Sequence, residues 1–213
     1  MGPRTPRAGR ARAARLGLAM ALAAALAPAP ARAAAAEEAK AVVSETLERV
    51  LVVLRERSKP AGQRRSEVEA IAYARFDFPT ISKLVLARNW RKLSPAQQQD
   101  FIGEFKRHLT LTYWKTLEDY RDEKVLVTAA REERNGDVTV RSHIESGRSE
   151  PIRIDYRLRA GGGRWAVIDV VIEGVSMVQN FRAQTQEIIA RDGIDALIAK
   201  LREKNDARSR KEG

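Results

Sequence analysis

The sequence predicts an α+β domain in which a four-stranded, curved antiparallel sheet packs against several helices. Apolar residues recur at three- and four-residue spacing from residue 36 to about residue 120, as they do on amphipathic helices. From residue 125 to residue 173 the period changes to two, which is typical of strands. The helical period returns after Gly174. Helices that are grouped before and after the strands favour the α+β class.

The first 33 residues have the composition of a signal peptide. Five arginines within residues 4–15 precede an apolar run over residues 16–26, and Ala31 and Ala33 fit a cleavage site. This run is much shorter than the ~20 residues that a membrane-spanning helix needs. We therefore expect a signal peptide over residues 1–33, one domain over residues 34–205 and a disordered charged tail over residues 206–213. Export without a lipid anchor favours a periplasmic location.

The charge of the chain does not indicate nucleic-acid binding. The formal net charge is +11, but residues 1–33 contribute six arginines and no acidic residue, which leaves +5 for the mature chain. No nucleic-acid recognition motif accompanies this charge. The chain has no cysteine, so a hydrophobic core and not disulfide bonds must stabilise the domain.

Two helices are predicted before Pro79. Pro60 and Gly62 separate them, because both residues disfavour a continuous helix. The second covers about residues 65–75. The first covers residues 36–57 and has an apolar face formed by Val43, Leu47, Val50 and Leu54.

Two more helices are predicted between Pro79 and the strands. Pro79 opens a helix that carries Leu84 and Leu86, and Trp90 follows in a loop. Ser94 to Gln97 then form a capping box with proline at the first helical position. The helix that begins there is expected to reach about Tyr120, with an apolar side formed by Phe101, Phe105, Leu109 and Tyr113.

The strands are predicted from alternation and from turn residues. Asn135-Gly136 is a strong hairpin signal between the first two strands, and three consecutive glycines at 161–163 join the last two. The fourth strand, residues 164–173, is apolar on both faces, which indicates that both faces are covered. Ser176 to Gln179 form a second capping box, and Gly193 separates the two last helices.

Three residues are candidates for catalysis. His143 shares the polar face of its strand with Arg141 and Glu145, which favours a solvated histidine over a catalytic base. Asp169 lies in the apolar fourth strand, where an ionised carboxylate requires partners. A sheet-and-helix cone with an inward Asp is also typical of small NTF2-like isomerases, so an enzymatic function stays among the alternatives. Ser176 lacks a nucleophile elbow, and its capping role accounts for it.

Several motifs resemble the MlaC family of periplasmic phospholipid-binding proteins, also known as toluene-tolerance or Ttg2 components. The stretches that carry the resemblance are residues 76–78 (FDF), 85–91 (VLARNWR), 112–113 and, above all, 165–182 (WAVIDVVIEGVSMVQNFR). The similarity covers about residues 38–205. It implies an NTF2-like cone with an apolar pocket, phospholipid as the bound cargo, and neither a cofactor nor a metal.

The resemblance also implies a function and partners. The chain is expected to be a monomeric, non-enzymatic carrier that shuttles phospholipid between an outer-membrane lipoprotein complex and the MCE-domain subunit of an inner-membrane ABC transporter. The alternatives are an NTF2-like enzyme that acts on an apolar substrate through Asp169 or His143, and an exported chaperone for lipoproteins or other acylated cargo.

The expected pocket wall combines residues from the helices and from one face of the sheet. Deep apolar pockets use many side chains, so the whole set is predicted to contact lipid. Its members are Leu84, Leu86, Phe101, Phe105, Leu109, Tyr113, Val140, Ile152, Ile154, Tyr156, Val170, Ile172, Val175, Met177, Val178 and Phe181.

Overall fold

The computed structural model describes residue 2, residues 29–145, residue 147 and residues 150–212 of the chain. Most of the expected signal peptide, residues 1–33, lies outside the described residues. Helices precede and follow one group of strands, so the predicted α+β class is confirmed. In chain order the elements are α1 (Ala29–Arg55), α2 (Ala61–Arg75), α3 (Phe78–Leu86), a 3-10 turn (Ala87–Lys92), α4 (Pro95–Glu118), β1 (Lys124–Glu132), β2 (Val138–Glu145), β3 (Ile152–Gly161), β4 (Arg164–Ile172), β5 (Val175–Ser176), α5 (Met177–Asp192) and α6 (Ile194–Glu212).

The strands form one antiparallel meander in the order β1 to β5. The sheet therefore has one strand more than predicted. Gly174, with a φ of 80°, reverses the chain after β4, so that Val175 pairs with Ile172 and Ser176 with Val171. A strand of two residues is too short to show the alternation from which strands are predicted.

Two β-bulges interrupt the regular pairing. In β1 the register shifts at Thr128, which lies between the pairs Val127–Ser142 and Ala129–Arg141. In β4 it shifts at Ile168. Bulges bend a strand and increase its twist, so they favour a curved sheet.

The helical core is a cluster of buried apolar side chains between α3, α4, α5 and α6. Phe101 and Phe105 on the N-terminal half of α4 are fully buried and stacked at 5.3 Å, and Phe181 of α5 meets Phe105 edge to face at 5.2 Å. The members of the helical core are Phe78, Ile81, Val85, Leu86, Leu93, Phe101, Phe105, Leu109, Met177, Val178, Phe181, Leu197, Ile198 and Leu201.

A second cluster lies where the start of α1 packs on the sheet. Small side chains on α1, Ala36 and Ala39, allow this helix to approach the strands closely. Val138 and Val140 of β2 are fully buried beneath it. We call this part, together with Leu158 and Val167, the closed end of the sheet.

A third cluster joins α1, α2 and α4. Leu54 near the end of α1 is almost completely buried, and it packs with Val68 of α2 and Trp114 of α4. These three helices therefore form a wall that faces the sheet beyond its closed end.

The C-terminal tail differs from the expectation. Residues 206–212 were predicted to be disordered, but they continue α6 as far as Glu212. Arg107 of α4 donates hydrogen bonds to Asp206 Oδ1 at 2.7 Å and to Ser209 Oγ at 3.0 Å. Polar contacts to α4 stabilise this segment, and apolar periodicity does not reveal such contacts.

Other predicted boundaries shift by a few residues. α2 begins at Ala61 and not near residue 65, and Trp90 lies in the 3-10 turn and not in a loop. The capping box at Ser94 is confirmed: Ser94 Oγ accepts from Gln97 N at 3.2 Å, and Gln97 Oε1 accepts from Ser94 N at 3.0 Å. In the part of the chain that the structure describes, no helix has both the length and the apolar character needed to cross a bilayer.

The substitution Phe105→Ala is expected to lower the free energy of unfolding by about 3–5 kcal/mol, because it leaves a cavity in the helical core. Urea unfolding followed by circular dichroism measures the change. Gln99→Ala on the exposed side of the same helix is the control and should stay within about 0.5 kcal/mol of the parent chain. Equal values for both variants would contradict this description of the core.

Candidate functional site

An apolar cavity of about 550 Å³ lies between the sheet and the helices α1, α2 and α4. Its sheet wall continues the inner face of the closed end. Ile154 and Tyr156 alternate along β3, and Val170 and Ile172 alternate along β4. Because side chains at every second position share one face of a strand, the alternation in the sequence produces this wall directly.

Cross-strand pairing aligns the wall residues in rows. Tyr156 lies opposite Val170, and Ile154 lies opposite Ile172. Ile144 of β2 lies between Val125 of β1 and Ile152 of β3. The sheet therefore presents a continuous apolar surface that reaches across β1 to β4.

The helix wall comes from the end of α1, from α2 and from the C-terminal half of α4. The residues of α1 that face the cavity are larger than the alanines at its start, and α4 contributes Leu109, Tyr113 and Trp114. The α1 side chains are half-buried or buried, so they contact one another and the cavity. They are Leu47, Val50, Leu51 and Leu54.

The few polar groups in the cavity wall come from the helices and the segment after α4. Asp119 and Thr116 are exposed, and Glu123 is half-buried. Glu69 is held by Arg65, whose Nε donates to Glu69 Oε1 at 2.9 Å. Polar groups with one exposed edge and an otherwise apolar wall are suited to an amphiphilic ligand whose polar part meets water.

Tyr156 brings a hydroxyl into the apolar sheet wall. Burial raises the pKa of Tyr156 to about 12, because the surrounding apolar side chains disfavour the phenolate, and the nearby Ser142 hydroxyl opposes part of this shift. The phenol therefore stays neutral at physiological pH, and the wall of the cavity keeps its uncharged character there.

Half of the residues predicted to contact lipid line this cavity. They come from the C-terminal half of α4, from alternate positions of β3 and β4, and from the start of α5. The eight residues are Leu109, Tyr113, Ile152, Ile154, Tyr156, Val170, Ile172 and Met177.

The other eight lie outside the cavity wall. Most belong to or pack against the helical core. Those on α4 do so because the apolar side of this helix is continuous, and its first half faces the helical core while its second half faces the cavity. Val140 is buried at the closed end under α1, and Val175 is 61% exposed beyond the turn at Gly174. The helical-core residues among them are Leu86, Phe101, Phe105, Val178 and Phe181, and Leu84 packs against this core.

α1, α2 and the sheet edge also contribute to the cavity wall, although none of their residues was predicted to do so. The apolar face of α1 was identified, but its spacing does not tell which structure the face covers. Val125 and Ile144 could have been found from the predicted hairpin register, which aligns them with Ile152. Val68 and Ala72 of α2 carry no signal that separates them from an ordinary core.

Asp169 is a structural residue outside the cavity wall, and not an inward-facing one. Its Oδ2 accepts from Ser176 Oγ at 2.6 Å, and its Oδ1 accepts from the backbone N of Val178 at 3.0 Å. Arg157 Nη1 lies 3.9 Å from Oδ2. These contacts provide the partners that a buried carboxylate requires, and they attach the start of α5 to β4.

The two histidines and Ser176 have separate positions. His143 Nε2 is 3.6 Å from Glu145 Oε1 on the sheet face opposite the cavity. His108 is buried in α4, and its Nδ1 lies 3.1 Å from Asn205 Oδ1. Ser176 Oγ also accepts from Gln179 N at 3.1 Å, which is one of the two bonds of the predicted capping box. Within the described ranges, no group of three or more His, Cys, Asp or Glu could hold a metal ion.

A curved sheet, a wall of helices and an apolar cavity between them define a protein with a preformed pocket for an apolar or amphiphilic ligand. The model of the MlaC protein family matches residues 44–203. The chain belongs to the MlaC family.

Two curated relatives and one solved structure are similar to this chain. Toluene tolerance protein ttg2D of Pseudomonas putida is 28% identical over 120 residues, 56% of each chain. The intermembrane phospholipid transport system binding protein MlaC of Haemophilus influenzae is 28% identical over 123 residues, 56% of this chain and 58% of the relative. The similarity thus spans little more than half the length of these relatives.

The solved structure is that of the phospholipid-binding protein from Ralstonia solanacearum in complex with a phospholipid. It has a TM-score of 0.73 and 27% identity, and the similarity covers 81% of this chain and 99% of that one. The shared fold therefore includes both the sheet and the helices that enclose the cavity.

The stability of the protein is expected to fall between pH 10 and pH 12 partly because of Tyr156. Its pKa is about 12 in the folded state and about 10 when exposed, so the phenol stays protonated to a higher pH in the folded state than in the unfolded state. The contribution is complete below pH 10 and is lost as the pH rises through the folded pKa. Urea unfolding at several pH values should show a smaller loss of the free energy of unfolding in Tyr156→Phe than in the parent chain. An equal loss in both proteins would contradict this assignment.

Asp169→Ala is expected to lower the free energy of unfolding by roughly 2–5 kcal/mol, because the Ser176 hydroxyl and the Val178 N–H lose their acceptor. Asp169→Asn, which retains one acceptor oxygen, should lose less. Asp155→Ala on the neighbouring strand is the matched control. Denaturant unfolding gives all three values, and a neutral Asp169→Ala variant would refute the structural role.

Proposed function

We propose that this chain is an exported, non-enzymatic phospholipid carrier. The observation that carries the proposal is the cavity of about 550 Å³ with its continuous apolar wall, in a fold shared with a protein solved in complex with a phospholipid. We further propose that the acyl chains contact the cavity residues of β3, β4 and α4, and that the head group lies outside this apolar wall, in contact with water.

Burial of acyl chains is sufficient to drive binding. Two chains contain on the order of 30 methylene groups, and exposure of each group to water costs ~0.8 kcal/mol, or roughly 25 kcal/mol in total. A carrier therefore needs an apolar enclosure more than strong polar contacts. The composition of the cavity wall supports this mode of binding.

The proposed route runs between the two membranes of the cell envelope. In this proposal the chain is directed to the periplasm by residues 1–33 and acts as a monomer. It exchanges phospholipid with an outer-membrane lipoprotein complex and with the MCE-domain subunit of an inner-membrane ABC transporter, and so maintains outer-membrane lipid asymmetry and toluene tolerance. A passive carrier of this kind leaves the direction of transport to its energised partner.

The cavity offers less support to the alternative functions. Asp169 and His143, the groups on which an enzyme would depend, do not line it. A chaperone for acylated proteins would use the same apolar wall. The two carriers differ in cargo: a phospholipid carrier purified from the periplasm should yield phospholipid and no lipoprotein.

The proposal predicts that the chain purifies with bound phospholipid and that Ile172→Glu loses it. The new carboxylate would lie in the apolar wall, where its charge is costly to bury. Phospholipid per protein, measured by mass spectrometry after detergent-free purification and solvent extraction, is expected to fall about tenfold or more.

Val175→Glu is the matched control, because Val175 pairs with Ile172 across the β4–β5 ladder but is 61% exposed. It should retain its lipid. Absence of phospholipid from the parent chain, together with no uptake from phospholipid vesicles, would overturn the carrier function. Equal loss in both variants would place the lipid elsewhere.

A further inference from the structure

A second cavity, of about 470 Å³, lies where α4, α5 and α6 meet. Each helix presents residues spaced four apart to it: His108 and Thr112 from α4, Asn180 and Gln184 from α5, and Lys204 and Arg208 from α6. Residues four apart lie on the same side of a helix, so the three helices converge on one site. Tyr113, Phe181 and Ala207 complete the wall.

The charged residues of this second cavity are all cationic. Lys204 and Arg208 line it, and no Asp or Glu does. Among the residues whose side chains the structure describes, which leaves out residues 211–213, neither cation has a carboxylate within ion-pair distance. Nearby carboxylates are already engaged, since Arg107 binds Asp206 at 2.7 Å and Arg202 binds Glu104 at 2.9 Å. Two cations that share a concave site without a counter-ion favour an anionic ligand.

Hydrogen bonds orient several donors in this cavity. Thr112 Oγ1 donates to the carbonyl oxygen of His108 at 2.7 Å and accepts from Arg208 Nη1, which fixes one edge of the guanidinium. Asn180 Oδ1 accepts from Gln184 Nε2 at 3.1 Å, and this leaves the Asn180 amide group as a donor. The positive charges of Arg208 and Lys204 also act on His108, whose pKa is lowered chiefly by burial.

We propose that the second cavity binds a phosphate group. The planar guanidinium of Arg208 matches two phosphate oxygens, and Lys204 and Asn180 supply further donors. Phe181 and Tyr113 provide an apolar surface for the organic part that carries the phosphate. Tyr113 also lines the first cavity, so the phosphate belongs either to the head group of a lipid held there or to a separate soluble compound.

Titration of the full chain with inorganic phosphate, followed by isothermal calorimetry at low ionic strength, tests the proposal. Saturable binding is expected, and Arg208→Gln and Lys204→Gln should each weaken it about tenfold or more, because each removes a charge-assisted hydrogen bond. Arg210→Gln is the matched control: it removes the same charge from the same helix, but Arg210 does not line the cavity. It should change the affinity less than about twofold.

Phosphorus NMR of the protein loaded with phospholipid distinguishes the two sources. If the head group occupies the second cavity, Arg208→Gln shifts the resonance of the bound lipid, and inorganic phosphate binds only to the lipid-free protein. If the site serves a soluble phosphate compound, inorganic phosphate binds equally to loaded and lipid-free protein, and the lipid resonance does not move. Either result supports a phosphate site.

Two results would overturn it. One is the absence of saturable phosphate binding up to about 10 mM together with an unchanged lipid resonance in Arg208→Gln. The other is an equal effect of Arg210→Gln, which would indicate general attraction by a basic helix. Lys204→Gln keeps the test valid if Arg208→Gln loses its fold, since the exposed Lys204 side chain has no hydrogen bond to other described side chains or backbone groups. Phospholipid content of the same samples tests the carrier function separately.

Discussion

The separation between α1 and the sheet is the constraint on which the rest of this structure depends. At the closed end, Ala36 and Ala39 let the helix lie directly on β2, and both side chains are buried there. Further along, Val50 and Leu51 line the cavity and pack with α2 and α4. The distance between helix and sheet therefore increases from the start of α1 toward its end. Side chains that line the cavity have fewer protein neighbours than those of a close-packed core, and the helical core between α3, α4, α5 and α6 supplies the close packing.

The polar contacts of Asp169 connect these two parts of the molecule. A carboxylate in a strand is normally unfavourable, but here it binds the cap residue and the first turn of α5. The helical core is thereby attached to β4 at a point that does not intrude on the cavity. The same residue illustrates why a buried charge in a sequence is an ambiguous sign of function: the requirement for partners can be met by backbone groups as well as by a substrate.

The fold class, the meander and the helix caps could be predicted because they depend on local signals. Each of these signals depends on residues close together in the sequence, as in the turn at Asn135-Gly136, the capping box at Ser94 and the alternation of β3. The cavity depends on which buried surfaces leave space between them, and that is a tertiary property. The apolar side of α4 shows the difficulty: Phe105 and Leu109 are one turn apart and equally apolar, yet only Leu109 reaches the cavity. The helical C-terminal segment was missed because its partners, such as Arg107, lie about 100 residues away.

α4 runs without a break from the helical core to the cavity wall, so its two halves have different neighbours. Over its 24 residues it is about 36 Å long. Its first half packs in the helical core through the stacked rings of Phe101 and Phe105, whereas its second half lines the cavity. Local opening is therefore expected to cost less free energy near Leu117, which lines the cavity, than near Phe101, which is fully buried. Substitutions in the second half of α4 are thus expected to change the shape of the cavity, and substitutions in the first half to change the stability of the domain.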